Sequence, residues 1–212
     1  MSVNLEHVLP SQIDARSFEM ITQELGNVKL DPEQEPIIKR CIHTSADFDY
    51  VQNLVFSPNA VWHAKEALKK GACIVTDTQM AKAGINKAAL AKLNCEVFCF
   101  MADEDVAKTA KENGTTRATA GIDKAATLNR PIIFAVGNAP TALVRLYERI
   151  EAGTLNPELI IGVPVGFVNV VESKELILTT QVPHIIARGR KGGSNIAAAI
   201  CNALLYSVVG RD

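Results

Sequence analysis

The residues best equipped for chemistry lie together in Arg40-Cys41-Ile42-His43-Thr44-Ser45-Ala46-Asp47-Phe48, where an imidazole, two hydroxyls and a carboxylate fall within five positions. Imidazole titrates near neutrality, so it can give or take a proton at physiological pH. The element that must position it reads as a helix. Asp31-Pro32-Glu33 supplies an N-cap, a proline at the first helical position and an acidic first turn, and Ile38, Cys41 and Ile42 keep the spacing of a buried face. His43 then falls in the last turn, near the edge of the apolar stripe. Unpaired carbonyls and the negative end of the helix dipole favour an imidazolium there, hence a proton donor. An ordinary helix-end histidine, hydrogen-bonded to the last carbonyls, fits the same pattern.

The 212 residues, 48% hydrophobic with a formal net charge of -1, fit one domain spanning 1–212 with a substantial core, residues 1–9 reading as a mobile tail. A nucleic-acid binder would carry a basic excess, and none is present. No apolar run approaches the roughly 20 residues of a membrane span, and Met1 to His7 lacks a basic-then-apolar signal pattern. The expected location is cytoplasmic. Cysteines at 41, 73, 95, 99 and 201 form no C-x-x-C pair, so they read as reduced core thiols and no protein-bound metal is expected.

The chain alternates strand-like and helix-like segments. Phe18, Ile21 and Leu25 pattern a helix that Gly26-Asn27 stops, and Leu54-Val55-Phe56 is a brief extended run. Ser57-Pro58 opens a helix through Leu68. Apolar strands follow at Ala72–Thr76, Glu96–Phe100, Pro131–Val136, Leu159–Val163 and His184–Ala187, each leading into a helical pattern. Five such strands imply a three-layer α/β fold, a mainly parallel sheet with helices on both faces.

Ligands of such sheets bind beyond the carboxyl ends of the strands. Those ends hold the unusual residues: Asp77-Thr78, Gly137-Asn138-Ala139-Pro140-Thr141, Gly162 to Phe167, and Gly189 to Asn195. Glycines let backbone approach a ligand, helix N-termini offer N–H groups to anions, and Arg190 and Lys191 add positive charge. An anionic ligand is expected. A nucleotide would require G-x-x-x-x-G-K-[ST] or G-x-G-x-x-G, and no strand end carries either.

Six segments in order, His43-Thr44-Ser45-Ala46-Asp47-Phe48, Phe56-Ser57-Pro58-Asn59-Ala60, Gly137 to Leu143, Gly162 to Val168, Glu172-Ser173-Lys174-Glu175 and Gly189-Arg190-Lys191-Gly192-Gly193-Ser194-Asn195, closely resemble the precorrin-8X methylmutases of vitamin B12 biosynthesis. The resemblance runs from Pro10 to Leu205. It implies a flavodoxin-like, homodimeric, cofactor-free isomerase that moves a methyl group from C11 to C12 of a tetrapyrrole polycarboxylate, precorrin-8X or its cobalt form. Any cobalt would belong to the substrate. The family's catalytic histidine maps onto His43.

Thr44, Ser45, Asn138, Thr141, Arg190, Lys191, Gly192, Gly193 and Ser194 then read as substrate-binding, with Val165 and Phe167 under the macrocycle. Arg117, in Thr-Thr-Arg-Ala where the family generally has Thr-Arg-Ser, is a carboxylate ligand or a solvent-facing salt bridge. Ser11 and Ser17 lie in the segment that approaches substrate in this family, and capping would explain them equally. Asp77 could cap the next helix. His7, His63 and His184 read as structural, and Trp62 as core or dimer interface. A non-catalytic tetrapyrrole carrier on the same fold is the second functional class, and a nucleotide-dependent enzyme the third.

Overall fold

The computed structural model describes residues 5–210. After a 3-10 turn at Pro10–Gln12, the first helix, α1, spans Ile13–Leu25, and α2 spans Glu35–Ser45. A short α3 (Tyr50–Asn53) leads into β1 (Leu54–Phe56), followed by α4 (Ala60–Lys69) and β2 (Cys73–Thr76). Two short helices, α5 (Gln79–Gly84) and α6 (Lys87–Lys92), precede β3 (Glu96–Phe98), and α7 (Glu104–Glu112) and α8 (Arg117–Ala125) follow it. The chain then alternates β4 (Ile132–Val136), α9 (Pro140–Glu151), β5 (Leu159–Gly162), α10 (Val170–Leu178), β6 (His184–Ala187) and α11 (Ser194–Val209).

Among the described residues one six-stranded sheet has the order β1-β6-β5-β4-β2-β3. Numbered among themselves, the five parallel strands run 2-1-3-4-5, the flavodoxin-like order. The α/β expectation holds, with one addition. Leu54-Val55-Phe56 is a sixth strand, antiparallel to β6, with Leu54 opposite Ala187 and Phe56 opposite Ile185. Its three residues were too few for periodicity to distinguish an edge strand from an extended loop.

The layers follow from the side chains. β2, β4, β5 and β6 are buried at every position, as continuous Ile/Val/Leu runs covered on both faces must be. On one face α11 packs against α2, α4, α5 and α6; on the other, residues of α8, α9 and α10 close the second apolar cluster. Alanines of α11 let these helices approach it closely, and Cys41 and Cys201 sit buried in that layer with their thiols pushed up to about 12 by desolvation. All five cysteines are free and buried.

Some local expectations move. The helix carrying His43 begins at Glu35, because Asp31 Oδ1 accepts the N–H groups of Glu33 and Gln34 and makes a separate turn first; Pro36, not Pro32, occupies its first turn. Trp62 is 53% exposed, edge-on to His63, so it does not fill the core. Of the expected tail over 1–9, residues 1–4 lie outside the described residues, while Glu6 accepts a hydrogen bond from Arg16 at 2.8 Å.

Candidate functional site

His43 sits in the last turn of α2, partly exposed, on the side facing α1. Its ring stacks on Phe18 at 5.3 Å between centroids, and the Arg40 guanidinium lies 4.5 Å from the centre of the Phe18 ring. Asp14 Oδ1 is 3.3 Å from Arg40 Nη1 and 3.5 Å from His43 Nε2, so one carboxylate is shared between two bases. The helix end and Asp14 favour an imidazolium, yet desolvation, and after it the charge of Arg40, hold the pKa of His43 below its ordinary 6.5. The expected ready-made proton donor is therefore a neutral imidazole in the free protein at pH 7. Arg40, one turn before His43 and paired with the same carboxylate, opposes the helix dipole.

The hydroxyls around it are bound locally. Thr44 Oγ1 donates to Arg40 O at 2.9 Å and Ser45 Oγ to Cys41 O at 2.8 Å, while Ser45 also accepts the N–H of Asp47. Ser17 Oγ donates to Ile13 O at 2.8 Å. Residues 14, 17 and 18 share one face of α1 by helical spacing, which places Ser17 beside the Asp14–His43 group. Ser11 lies exposed in the 3-10 turn. Neither serine caps a helix.

The segment after His43 is tied to the last strand-end loop. Lys191 Nζ lies 2.7 Å from Asp47 and also pairs with Asp49, which raises its pKa and occupies the charge expected to meet the ligand. From that loop bonds run to its neighbours. Gly193 N–H donates to Val163 O at 2.8 Å, Gly166 N–H to Arg190 O at 3.2 Å, and Ser194 and Thr78 share a 2.7 Å hydroxyl contact. Gly137 packs so closely that a Cβ there would lie 2.7 Å from Ser194 Cα.

Three apolar side chains stand out beside this cluster, Val165 50%, Phe167 77% and Val168 80% exposed, with the Arg190 guanidinium 5.2 Å from the Phe167 ring centre. Further along the same edge Thr141 at the start of α9 bonds Thr116 at 2.8 Å, at the mouth of a cleft of about 550 Å³ between α8 and α9. Arg117 is exposed beside it; its one hydrogen bond among the described residues is a 3.5 Å contact to Met101 O, so the salt-bridge alternative finds no carboxylate. Asn138 has an exposed side chain.

The precorrin-8X methylmutase family model matches residues 12–207. A cobalt-precorrin-8 methylmutase of Priestia megaterium is 44% identical over 93% of this chain and 88% of its own length. A precorrin-8X methylmutase of Pseudomonas aeruginosa is 38% identical, over 89% and 91%. The crystal structure of the Thermus thermophilus precorrin-8X methylmutase superposes with a TM-score of 0.86 at 36% identity, covering 93% of this chain and 98% of that one. The chain belongs to the precorrin-8X methylmutase family.

Two residues that hold the strand-end loops of this methylmutase-family chain were not recognised as doing so in the sequence. Asp77 does not cap α5; Thr78 does, accepting the N–H of Ala81. The Asp77 carboxylate instead accepts three backbone N–H groups, those of Gly137 and Asn138 at 2.8 Å and of Ala139 at 2.6 Å. β2 and β4 flank the topological switch point, so this buried carboxylate fills the crevice where a doubly wound sheet usually holds its ligand. Burial pushes its pKa up against the opposite pull of the amides. The amides of 137–139 are consequently spent on the protein itself, contrary to the expectation that this loop offers them to the ligand.

Lys174 is the second. Its side chain is wholly buried in α10, and Nζ donates to Gly189 O at 2.7 Å and Lys191 O at 2.9 Å. The signal was present: Val170, Lys174 and Ile177 keep the spacing of one buried helix face, where a lysine needs a reason. His184 is structural, as expected, its Nδ1 2.9 Å from Val182 O.

Proposed function

We propose that this methylmutase-family chain moves the methyl group of precorrin-8X, or of cobalt-precorrin-8, from C11 to C12, giving hydrogenobyrinic or cobyrinic acid, with His43 as the general acid. The observation that carries the reading is the ion-paired junction of Lys191 with Asp47 and Asp49, which brings the His43 segment to the glycine-rich strand-end loops. The substrate is a broad apolar ring fringed with carboxylates. Exposed Val165 and Phe167 suit the ring face, while Arg190, Arg117 and loop amides suit the fringe.

His43 starts neutral. Carboxylates arriving on the substrate favour the imidazolium, so binding itself loads the proton. Its transfer to the macrocycle draws electron density from the conjugated path and eases the methyl shift, and the proton leaves again as the product settles into its corrin form. A positioned acid contributes roughly 100- to 10,000-fold, about 3–5 kcal/mol. Orientation of the ring against the loops supplies the remainder. The methyl stays within one molecule and no electrons are exchanged overall, so the step needs neither an external methyl donor nor a redox cofactor. We extend the proposal to a homodimer, for which Leu9, Ile13 and Met20, all more than half exposed, provide apolar surface.

The test is the visible spectrum of purified protein mixed with precorrin-8X, alongside His43→Ala. A shift to a corrin spectrum with wild type, and none with the variant, is expected. Bound but unchanged substrate with wild type would favour the carrier, and no interaction would overturn both.

A further inference from the structure

Lys174 is a buried ammonium with no carboxylate within ion-pair distance among the described residues; its hydrogen-bond partners are two carbonyls of one loop. A charge held that deep is costly unless it does something for the structure around it. What it does follows from the planarity of the peptide bond. In a trans peptide the C=O and the N–H point in opposite directions, and the described chain has no cis bond. The Gly189 carbonyl shares its plane with the N–H of Arg190, and the Lys191 carbonyl shares its plane with the N–H of Gly192. Turning both carbonyls inward onto Lys174 turns both N–H groups outward.

Neither of those N–H groups has an acceptor among the described residues. The intervening Arg190 carbonyl points elsewhere, accepting the N–H of Gly166, and Gly193 N–H is held by Val163 O. The conformation requires φ of +74° at Gly189, +151° at Gly192 and +131° at Gly193, which only glycine adopts without strain. Two outward N–H groups on one side of such a loop can each donate to one oxygen of the same carboxylate, and together serve as its cradle.

We propose that Lys174 is a positioning residue of the substrate site, and that by gripping the carbonyls of Gly189 and Lys191 it presents the N–H groups of Arg190 and Gly192 to one peripheral carboxylate of the tetrapyrrole. This rests on the methylmutase reading of the same site. Desolvation lowers the Lys174 pKa to about 8, so the ammonium persists at neutral pH and adds its field behind the cradle. A peripheral carboxylate is unchanged by the methyl shift, so its binding is uniform between ground and transition states, and losing it raises KM without lowering kcat.

The experiment compares wild type with Lys174→Met, which keeps length and apolar packing but donates nothing, using precorrin-8X and its spectral conversion. KM is expected to rise about 10- to 100-fold, as loss of one to two hydrogen bonds to a charged group implies, while kcat stays within about threefold. Tm falls as well, because the Gly189 and Lys191 carbonyls lose their buried donor; a merely structural lysine would lower Tm and leave KM unchanged. In parallel, the amide resonances of Arg190 and Gly192 in the wild-type protein, followed during titration with the product, are expected to move downfield on binding; this readout stands even if the variant does not fold. The proposal is overturned if Lys174→Met keeps the wild-type KM, or if the two amides stay put while product binds. Wild type that neither binds nor converts the substrate overturns the methylmutase reading and this inference with it. Normal conversion by both proteins overturns this inference alone.

Discussion

Asp77→Asn changes one oxygen of a buried carboxylate into an NH₂ group and almost nothing else, so it isolates the anion at the switch point. Asp77 Oδ1 serves Gly137, and Oδ2 serves Asn138 and Ala139. In the better of its two orientations the asparagine keeps its oxygen on the pair 138 and 139 and turns its NH₂ against the N–H of Gly137. One buried donor is then unsatisfied, which costs about 1–3 kcal/mol. The two remaining bonds change from charge-assisted to neutral, roughly half as strong, for about 1 kcal/mol more. Relief of the buried charge offsets part of this, since desolvation already pushes the Asp77 carboxyl upward. The net is about 1–3 kcal/mol. For a chain of this size that is a Tm lower by about 2–12 °C. Differential scanning calorimetry of the two proteins at pH 7 measures it. A Tm within about 2 °C of wild type would refute the reasoning, and would mean that the three amides find water or another acceptor at no cost.

Two further predictions concern His43 and the glycine loop. If His43 gives a proton, kcat/KM, which reports the free protein, falls as pH rises through a value below 6.5, because burial and Arg40 depress that pKa; kcat, which reports the complex, holds to higher pH because substrate carboxylates favour the imidazolium. Superimposable profiles, or a kcat/KM level up to about pH 8, would sink the acid role. At the loop, Gly192→Ala would set a Cβ 2.1 Å from Val163 O at φ +151°, whereas Gly189→Ala at φ +74° meets nothing within 4 Å. The second substitution carries only left-handed strain of about 1–2 kcal/mol, while the first adds a backbone clash, so Gly192→Ala should lower Tm by several degrees more. The opposite order of the two melts would show that the loop relaxes freely.

The sheet was legible because its signal is local. Cys73-Ile74-Val75-Thr76 and Ile132-Ile133-Phe134-Ala135-Val136 are apolar on both faces, and a helical period follows each. Helix starts were legible where one residue supplies the cap, as Thr116 does for Thr119. The site was legible as a set of loops but not as bonds. Lys191 looked like a free cation because Asp47 and Asp49 lie more than 140 positions away. Asp77 looked like a cap because its partners begin 60 residues on. His43 looked protonated because the helix that carries it was visible and the burial around Phe18 was not.

These contacts explain why a nucleotide reading fails on more than missing motifs. In a doubly wound sheet the crevice at the switch point is where backbone N–H groups await an anion. Here β2 and β4 flank that crevice, and Asp77 already occupies it. A phosphate approaching those amides would meet a carboxylate and would have to displace three charge-assisted hydrogen bonds. The N–H groups left open lie at the end of β6, two strands away from β4. There Lys191 fastens the loop to the segment behind His43, and Phe167 stands beside Arg190. With the usual anion site filled by the protein's own side chain, the proposed ligand site lies instead at the β6 end of the sheet's carboxyl edge, where Phe167, Arg190 and the outward amides of Arg190 and Gly192 stand. A flat ring with carboxylates around its rim suits that edge better than the narrow crevice at the switch point.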